Sequence, residues 1–171
     1  LIDKGVVEFV EACSLLFEQF PDVLFVLVGD IDSDNPSSIN KHDLQKWIDE
    51  GVIKYWGSRS DMNQVLNSCS ILVLPSYREG LPKILIEGAA SGIAVVTTDV
   101  PGCRDAIVPG ITGLLVPPRD VKELSKALAF LLKNEDIRKE MGKSGRKLAE
   151  RHFNVDNVVE KHLELYQDLI K

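Results

Sequence analysis

No stretch of this sequence stays apolar for the roughly 20 residues that a membrane-spanning helix needs. Cysteine is scarce: Cys13, Cys69 and Cys103 lie far apart and form no CxxC pair. Their apolar or small-residue surroundings predict buried free thiols, which suit a reducing cytosol. The histidines, His42, His152 and His162, show no metal spacing, so no metal site is expected. Positive charge is in deficit as well. Lys and Arg number 20 against 26 Asp and Glu, a formal net charge of -6, which gives a general nucleic-acid role no electrostatic support. A polyanionic ligand would have to be met by locally placed cations and backbone amides. The chain opens at Leu1, in mid-pattern and without the basic-then-apolar start of a secretory leader. We expect it to be a piece of a longer protein.

What is present fits one globular domain over 1–171: the 171 residues are 44% hydrophobic and 27% charged. A chain of this size can bury most of its apolar surface without a disulfide. Apolar runs alternate with amphipathic segments. Val6, Phe9, Val10, Cys13, Phe17 and Phe20 fall on one helical face. Val23 to Val28 is a continuous apolar run ended by Gly29-Asp30, which predicts a strand buried on both faces of a parallel sheet. A polar loop from Asp32 to Asn40 follows, then a helix over Asp43–Glu50 and a short strand over Ile53–Trp56. The alternation continues with a helix over Asp61–Asn67, a strand over Ile71–Leu74, and a helix over Pro82–Ala90 with proline in its first turn. Strands over Ile93–Thr97 and Leu114–Val116 come next. From 120 to 171 the pattern is helical: Val121–Leu132, Ile137–Glu150, and a last helix from Val155. Its stripe of Val155, Val158, Val159, His162, Leu163, Tyr166 and Leu169 predicts packing, in this core and in part against protein beyond this chain.

Strands alternating with helices imply an α/β, doubly wound parallel sheet of Rossmann-like type. Ligands of such sheets sit beyond the carboxyl ends of the strands. Gly29-Asp30, Gly57-Ser58-Arg59 and Ser76 to Leu81 follow strand ends and should share that rim. The first helix has no strand before it, and one is expected just upstream of Leu1.

The most informative segment is Ser76-Tyr77-Arg78-Glu79-Gly80-Leu81-Pro82-Lys83-Ile84-Leu85-Ile86-Glu87-Gly88. Gly80 lets another group approach the backbone unobstructed. The start of the following helix should leave the amides of Lys83, Ile84 and Leu85 without intrahelical partners, which favours an anion such as a diphosphate. Glu79 lies in the loop and can accept hydrogen bonds from sugar hydroxyls. Glu87, about 1.5 Å further along the axis per residue, can reach another part of an elongated ligand, such as a ribose. An E-x7-E spacing is common by chance, and either acid alone reads first as a solvated surface residue.

Glu79 to Glu87, with Ala89 to Thr97 after it, resembles the signature of glycosyltransferase family 4, whose members are retaining enzymes with the two-domain GT-B fold. The resemblance extends through Asp99 to Asp105 and Gly113 to Pro118. Upstream it takes in Asp3-Lys4-Gly5-Val6, Val26 to Asp30 and Val73 to Ser76. It covers nearly the whole chain as the C-terminal half of that fold. Its subtype is similar to bacterial transferases of capsular and other surface polysaccharides. The resemblance implies that Glu79 binds the donor sugar, Glu87 the nucleotide's ribose, and Lys4 the phosphate. Gly80, Leu81, Pro82 and Lys83 would complete the donor loop, and Arg59 would lie near the base. An arginine that the family places shortly before the lysine would precede Leu1. Tyr55-Trp56 reads as core rather than as a base platform.

The implied reaction moves a glycosyl unit from a nucleotide sugar, most simply a UDP-sugar, to an acceptor hydroxyl. It calls for no cofactor or metal. Asp30-Ile31-Asp32 has the Asp-x-Asp spacing but opens a polar loop. The implied partners are the donor and an N-terminal acceptor domain, with the intact enzyme in the cytoplasm, peripheral to the inner membrane face. Two other readings remain open: a non-catalytic nucleotide-sugar-binding module, and a GT-B-fold nucleotide-sugar epimerase, against which the E-x7-E pattern argues. A response-regulator-like domain fails for want of paired aspartates at the first strand ends.

Overall fold

The computed structural model describes residues 1–170. A single 3-10 turn, Ile2–Lys4, leads into α1 (Val6–Leu16) through Gly5, whose φ of 72° is open to glycine with little strain. There follow β1 (Val26–Leu27), α2 (Lys41–Asp49), β2 (Lys54–Tyr55), α3 (Met62–Asn67), β3 (Ile71–Leu74) and α4 (Lys83–Ala90). The chain continues through β4 (Ala94–Thr98), α5 (Pro101–Ala106), β5 (Gly113–Val116), α6 (Val121–Lys133), α7 (Glu135–His152) and α8 (Val155–Leu169). Side-chain caps mark several starts. Asn40 accepts from the amides of His42 and Asp43 ahead of α2, and Asp120 accepts from Glu123 at 2.9 Å ahead of α6.

All strand pairs are parallel and fall into two ladders, β1-β2 and β3-β4-β5. The side chains of the larger ladder alternate between two clusters, as period-2 geometry requires. Ala94 and Val96 join Ile71, Val73 and Leu114 on the face covered by α1, α6 and Met141 of α7. Val95 joins Leu72, Leu74 and Leu115 on the other face, against Leu85 of α4 and Cys103 and Ala106 of α5. Burial of each large side chain contributes about 1.5–3 kcal/mol. The expected α/β doubly wound architecture is therefore present.

Three expectations need correction, and one helix, α5, was not foreseen. The Val23–Val28 run yields only two residues of strand. Phe25 is buried, while Leu24 and Val28 are exposed, because β1 pairs only with the equally short β2. Pro82 lies outside α4 as its extended N-cap (φ -72°, ψ 112°), so the helix starts at Lys83. A six-residue helix, α5, occupies Pro101–Ala106, started by proline at its first position. No residue of α8 is buried, so its apolar stripe does not pack into this core. Leu163 and Leu169 are 54% and 81% exposed. All three thiols are free as expected, but only Cys13 and Cys103 are buried and Cys69 is half-buried. Burial raises the pKa of each.

Candidate functional site

The loop leaving β3 is held from two sides by backbone contacts that only glycine permits. On one side, a Cβ on Gly5 would come within 2.7 Å of the carbonyl carbon of Pro75. There the carbonyl of Asp3 accepts from the Tyr77 amide at 2.9 Å and from the Ser76 hydroxyl at 3.0 Å. On the other side, a Cβ on Gly102 would collide with the Gly80 carbonyl and come within 2.6 Å of the carbonyl oxygen of Glu79. The start of α5 therefore lies directly on the Glu79-Gly80 backbone. Two buried hydroxyls tie the strand ends beneath. Thr97 donates to the carbonyl of Leu74 at 2.7 Å, and Thr98 donates to that of Ser76.

This grip sets Lys4 against Glu79. The Nζ of Lys4 donates to Oε1 of Glu79 at 2.7 Å, across 75 residues of sequence. Beyond them, Gly80 and Leu81 are exposed and Pro82 is buried, and α4 starts without a side-chain cap. The amide of Leu85 donates to the Pro82 carbonyl at 3.0 Å, so the amides available for an anion narrow from three to those of Lys83 and Ile84. Those amides carry the partial positive charge of a helix N-terminus. Glu87, one turn along, pairs with Lys83 at 3.2 Å. The Lys83 ammonium is almost fully exposed, so this contact is worth little and leaves Glu87 accessible to a ligand.

Arg59 stands apart from this group. It follows β2 and makes two hydrogen bonds to Asp61, at 2.8 and 2.6 Å. Those hydrogen bonds raise the arginine's pKa and lower the aspartate's. A base-contacting role would have to use the face of Arg59 left free by Asp61. Tyr55 packs against the core and donates to the Gly29 carbonyl at 2.9 Å, as its core reading requires, whereas Trp56 is exposed. Asp30 turns a carboxylate oxygen back to the Ile31 amide at 3.0 Å. Among the described residues no group of three or more His, Cys, Asp or Glu gathers as a metal site would.

A second cluster beside the loop escaped sequence reasoning. The Tyr77 hydroxyl donates to Oε1 of Glu8 on α1, and the Arg119 guanidinium lies 4.4 Å from the centre of the tyrosine ring. Burial, and then the bond to Glu8, pushes the Tyr77 phenol up to about 12. Arg119 has a φ of 62°, the sole positive φ outside glycine among the described residues. The only sequence signal is an arginine directly after Pro117-Pro118.

Residues 1–148 match the family described as Glycosyl transferases group 1. An N,N'-diacetylbacillosaminyl-diphospho-undecaprenol alpha-1,3-N-acetylgalactosaminyltransferase of Campylobacter jejuni subsp. jejuni serotype O:2 is 35% identical over 98% of this chain and 42% of its own length. The capsular polysaccharide biosynthesis glycosyltransferase CapM of Staphylococcus aureus is 27% identical over 99% of this chain and 44% of its own. The chain thus spans less than half the length of these relatives. Among solved structures, Anabaena Alr3699/HepE in complex with UDP superposes with a TM-score of 0.87 at 21% identity, over 98% of this chain and 46% of that one. The C-terminal domain of the group 1 glycosyl transferase LpcC from Francisella tularensis gives 0.79 at 24% identity, over 91% and 82%. The fold is the Rossmann-like C-terminal half of a GT-B architecture, and the chain belongs to the glycosyl transferases group 1 family.

Proposed function

We propose that this chain is the donor-binding half of a retaining glycosyltransferase that takes a nucleoside diphosphate sugar, UDP-linked, and passes its glycosyl unit to an acceptor hydroxyl. The observation that carries the reading is the meeting of Lys4 and Glu79 beside the open start of α4. Lys4 and the amides of Lys83 and Ile84 meet the diphosphate. Glu79, with the Gly80-Leu81-Pro82 backbone, faces the sugar hydroxyls. Glu87 takes the ribose, and the free face of Arg59 lies toward the base. As the bond between the anomeric carbon and the diphosphate breaks, its electron pair stays with the leaving group. Lys4 and the helix amides stabilise that charge, and stabilisation of this kind supplies most of the rate enhancement. The acceptor oxygen bonds the carbon and gives its proton to the departing diphosphate oxygen, while Glu79 orients the sugar rather than attacking it.

The acceptor surface belongs to sequence beyond this chain, a reading supported by relatives more than twice its length. The Campylobacter relative is named for a diphospho-undecaprenol acceptor. A lipid-linked glycan as acceptor would bring the intact enzyme to the cytoplasmic face of the membrane, peripherally. No helix among the described residues is long and apolar enough to cross one. Calorimetry with UDP, GDP, ADP and their sugars tests the donor class. UDP and UDP-sugars should bind, and the isolated chain should form no glycan product. Failure to bind any of these nucleotides would overturn the reading.

A further inference from the structure

In the unliganded site Lys4 and Glu79 occupy each other. The Lys4 side chain is 45% exposed but that of Glu79 only 11%, so the carboxylate has little water to fall back on. Its backbone is trapped between the start of α5, through Gly102 on Gly80, and the Ile2–Lys4 turn, through Asp3 on Tyr77.

We propose that the Lys4–Glu79 pair makes this site select the nucleotide sugar over the bare nucleoside diphosphate and so favours release of the spent nucleotide. The inference rests on the reading above, in which Lys4 meets phosphate and Glu79 meets the sugar. A diphosphate that captures Lys4 must draw it away from Glu79. An under-solvated carboxylate that loses its cation is penalised more than the contact itself was worth. A ligand carrying a sugar escapes that penalty, because its hydroxyls donate to Glu79 in place of Lys4. Bare UDP replaces the partner of Lys4 and leaves Glu79 without one. Once the glycosyl unit has moved to the acceptor, Glu79 is again unpartnered and competes with the diphosphate for Lys4. The same contact that rests the empty site thus weakens its hold on the product.

The test is a double-mutant cycle read by calorimetry, with bare UDP and with the tightest of UDP-glucose, UDP-galactose and UDP-N-acetylgalactosamine. The parent should bind the sugar form about tenfold more tightly than UDP. Glu79→Gln should tighten UDP about fivefold and close the gap, and that gain should vanish in a Lys4→Gln background. A gain that persists without Lys4 would mean simple repulsion of the anion by Glu79 and would overturn the proposal. Equal parent affinities for UDP and the sugar form would overturn it as well. Glu79→Asp guards against a fold defect, since it keeps the charge but withdraws it from Lys4. It should also tighten UDP, and unchanged or weaker UDP binding by a folded Glu79→Asp protein counts against the proposal. A parent that binds no nucleotide would instead overturn the functional reading, and this inference with it.

Discussion

The two ladders of this domain are built to different standards. The β3-β4-β5 ladder packs apolar side chains on both faces and is tied at its carboxyl ends by Thr97 and Thr98, and the loop leaving β3 is met closely by α5 through Gly102. The β1-β2 ladder has two residues per strand and leaves Leu24 and Val28 exposed beside it. Its loops carry glycines such as Gly51, where a Cβ would meet nothing within 4 Å. Rigidity is concentrated where Lys4, Glu79 and the start of α4 must keep their geometry. A site that separates developing charge gains from groups that need no rearrangement.

Core truncation should separate the halves most. Leu85→Ala, at a fully buried position, should cost about 3 kcal/mol in urea unfolding, whereas Leu24→Ala should stay within about 0.5 kcal/mol. Glycine replacement comes next. Gly102→Ala drives a methyl into the Gly80 carbonyl and should cost about 2 kcal/mol, with nucleotide binding lost in the still-folded protein. Gly51→Ala, whose φ is 75° but whose surroundings are open, should cost about 1 kcal/mol and leave binding intact.

Tyr77→Phe sharpens the contrast at smaller scale. It removes the donor to Glu8, whose second oxygen is buried without a partner among the described residues, and should cost about 1 kcal/mol. The native phenol titrates near 12 against the ordinary tyrosine value of 10.0, so the folded state holds this proton to higher pH than the unfolded chain. Its contribution is complete below pH 10 and is lost as pH rises through about 12. The variant should therefore lose less stability over that window than the parent. Smallest of all is Leu163→Asp on the unburied α8, expected within about 0.5 kcal/mol by thermal unfolding.

The strength of the larger ladder was legible in the sequence, and the weakness of the smaller one was not. Ile71–Leu74 is a short apolar run closed by Pro75, and the strand has those very bounds because proline cannot extend the ladder. Val23 to Val28 has the same local look, yet its length as a strand depends on pairing, which composition does not encode. The stripe on α8 shows the same limit: period 3.6 tells that a face is apolar, not what covers it. At the site, Glu79, Gly80 and Glu87 stand out through their spacing and family resemblance. The Lys4–Glu79 contact spans 75 residues, and the Tyr77–Glu8–Arg119 cluster joins three separate elements. Contacts made only by topology leave no periodic trace. Gly102 falls within the family resemblance, but the reason for it, the closeness of Gly80, emerges only in three dimensions.

The central claim is that Lys4 and the start of α4 grip a diphosphate, and calorimetric titration of UDP and uridine into the parent and Lys4→Ala proteins tests it most directly. Screening acts over about 8 Å at physiological salt, so a half-exposed cation should leave a salt-dependent signature. Lys4→Ala should lower UDP affinity about tenfold, leave uridine affinity unchanged and flatten the salt dependence of UDP binding. Equal losses for UDP and uridine would contradict the account, for Lys4 would then support the loop without touching phosphate.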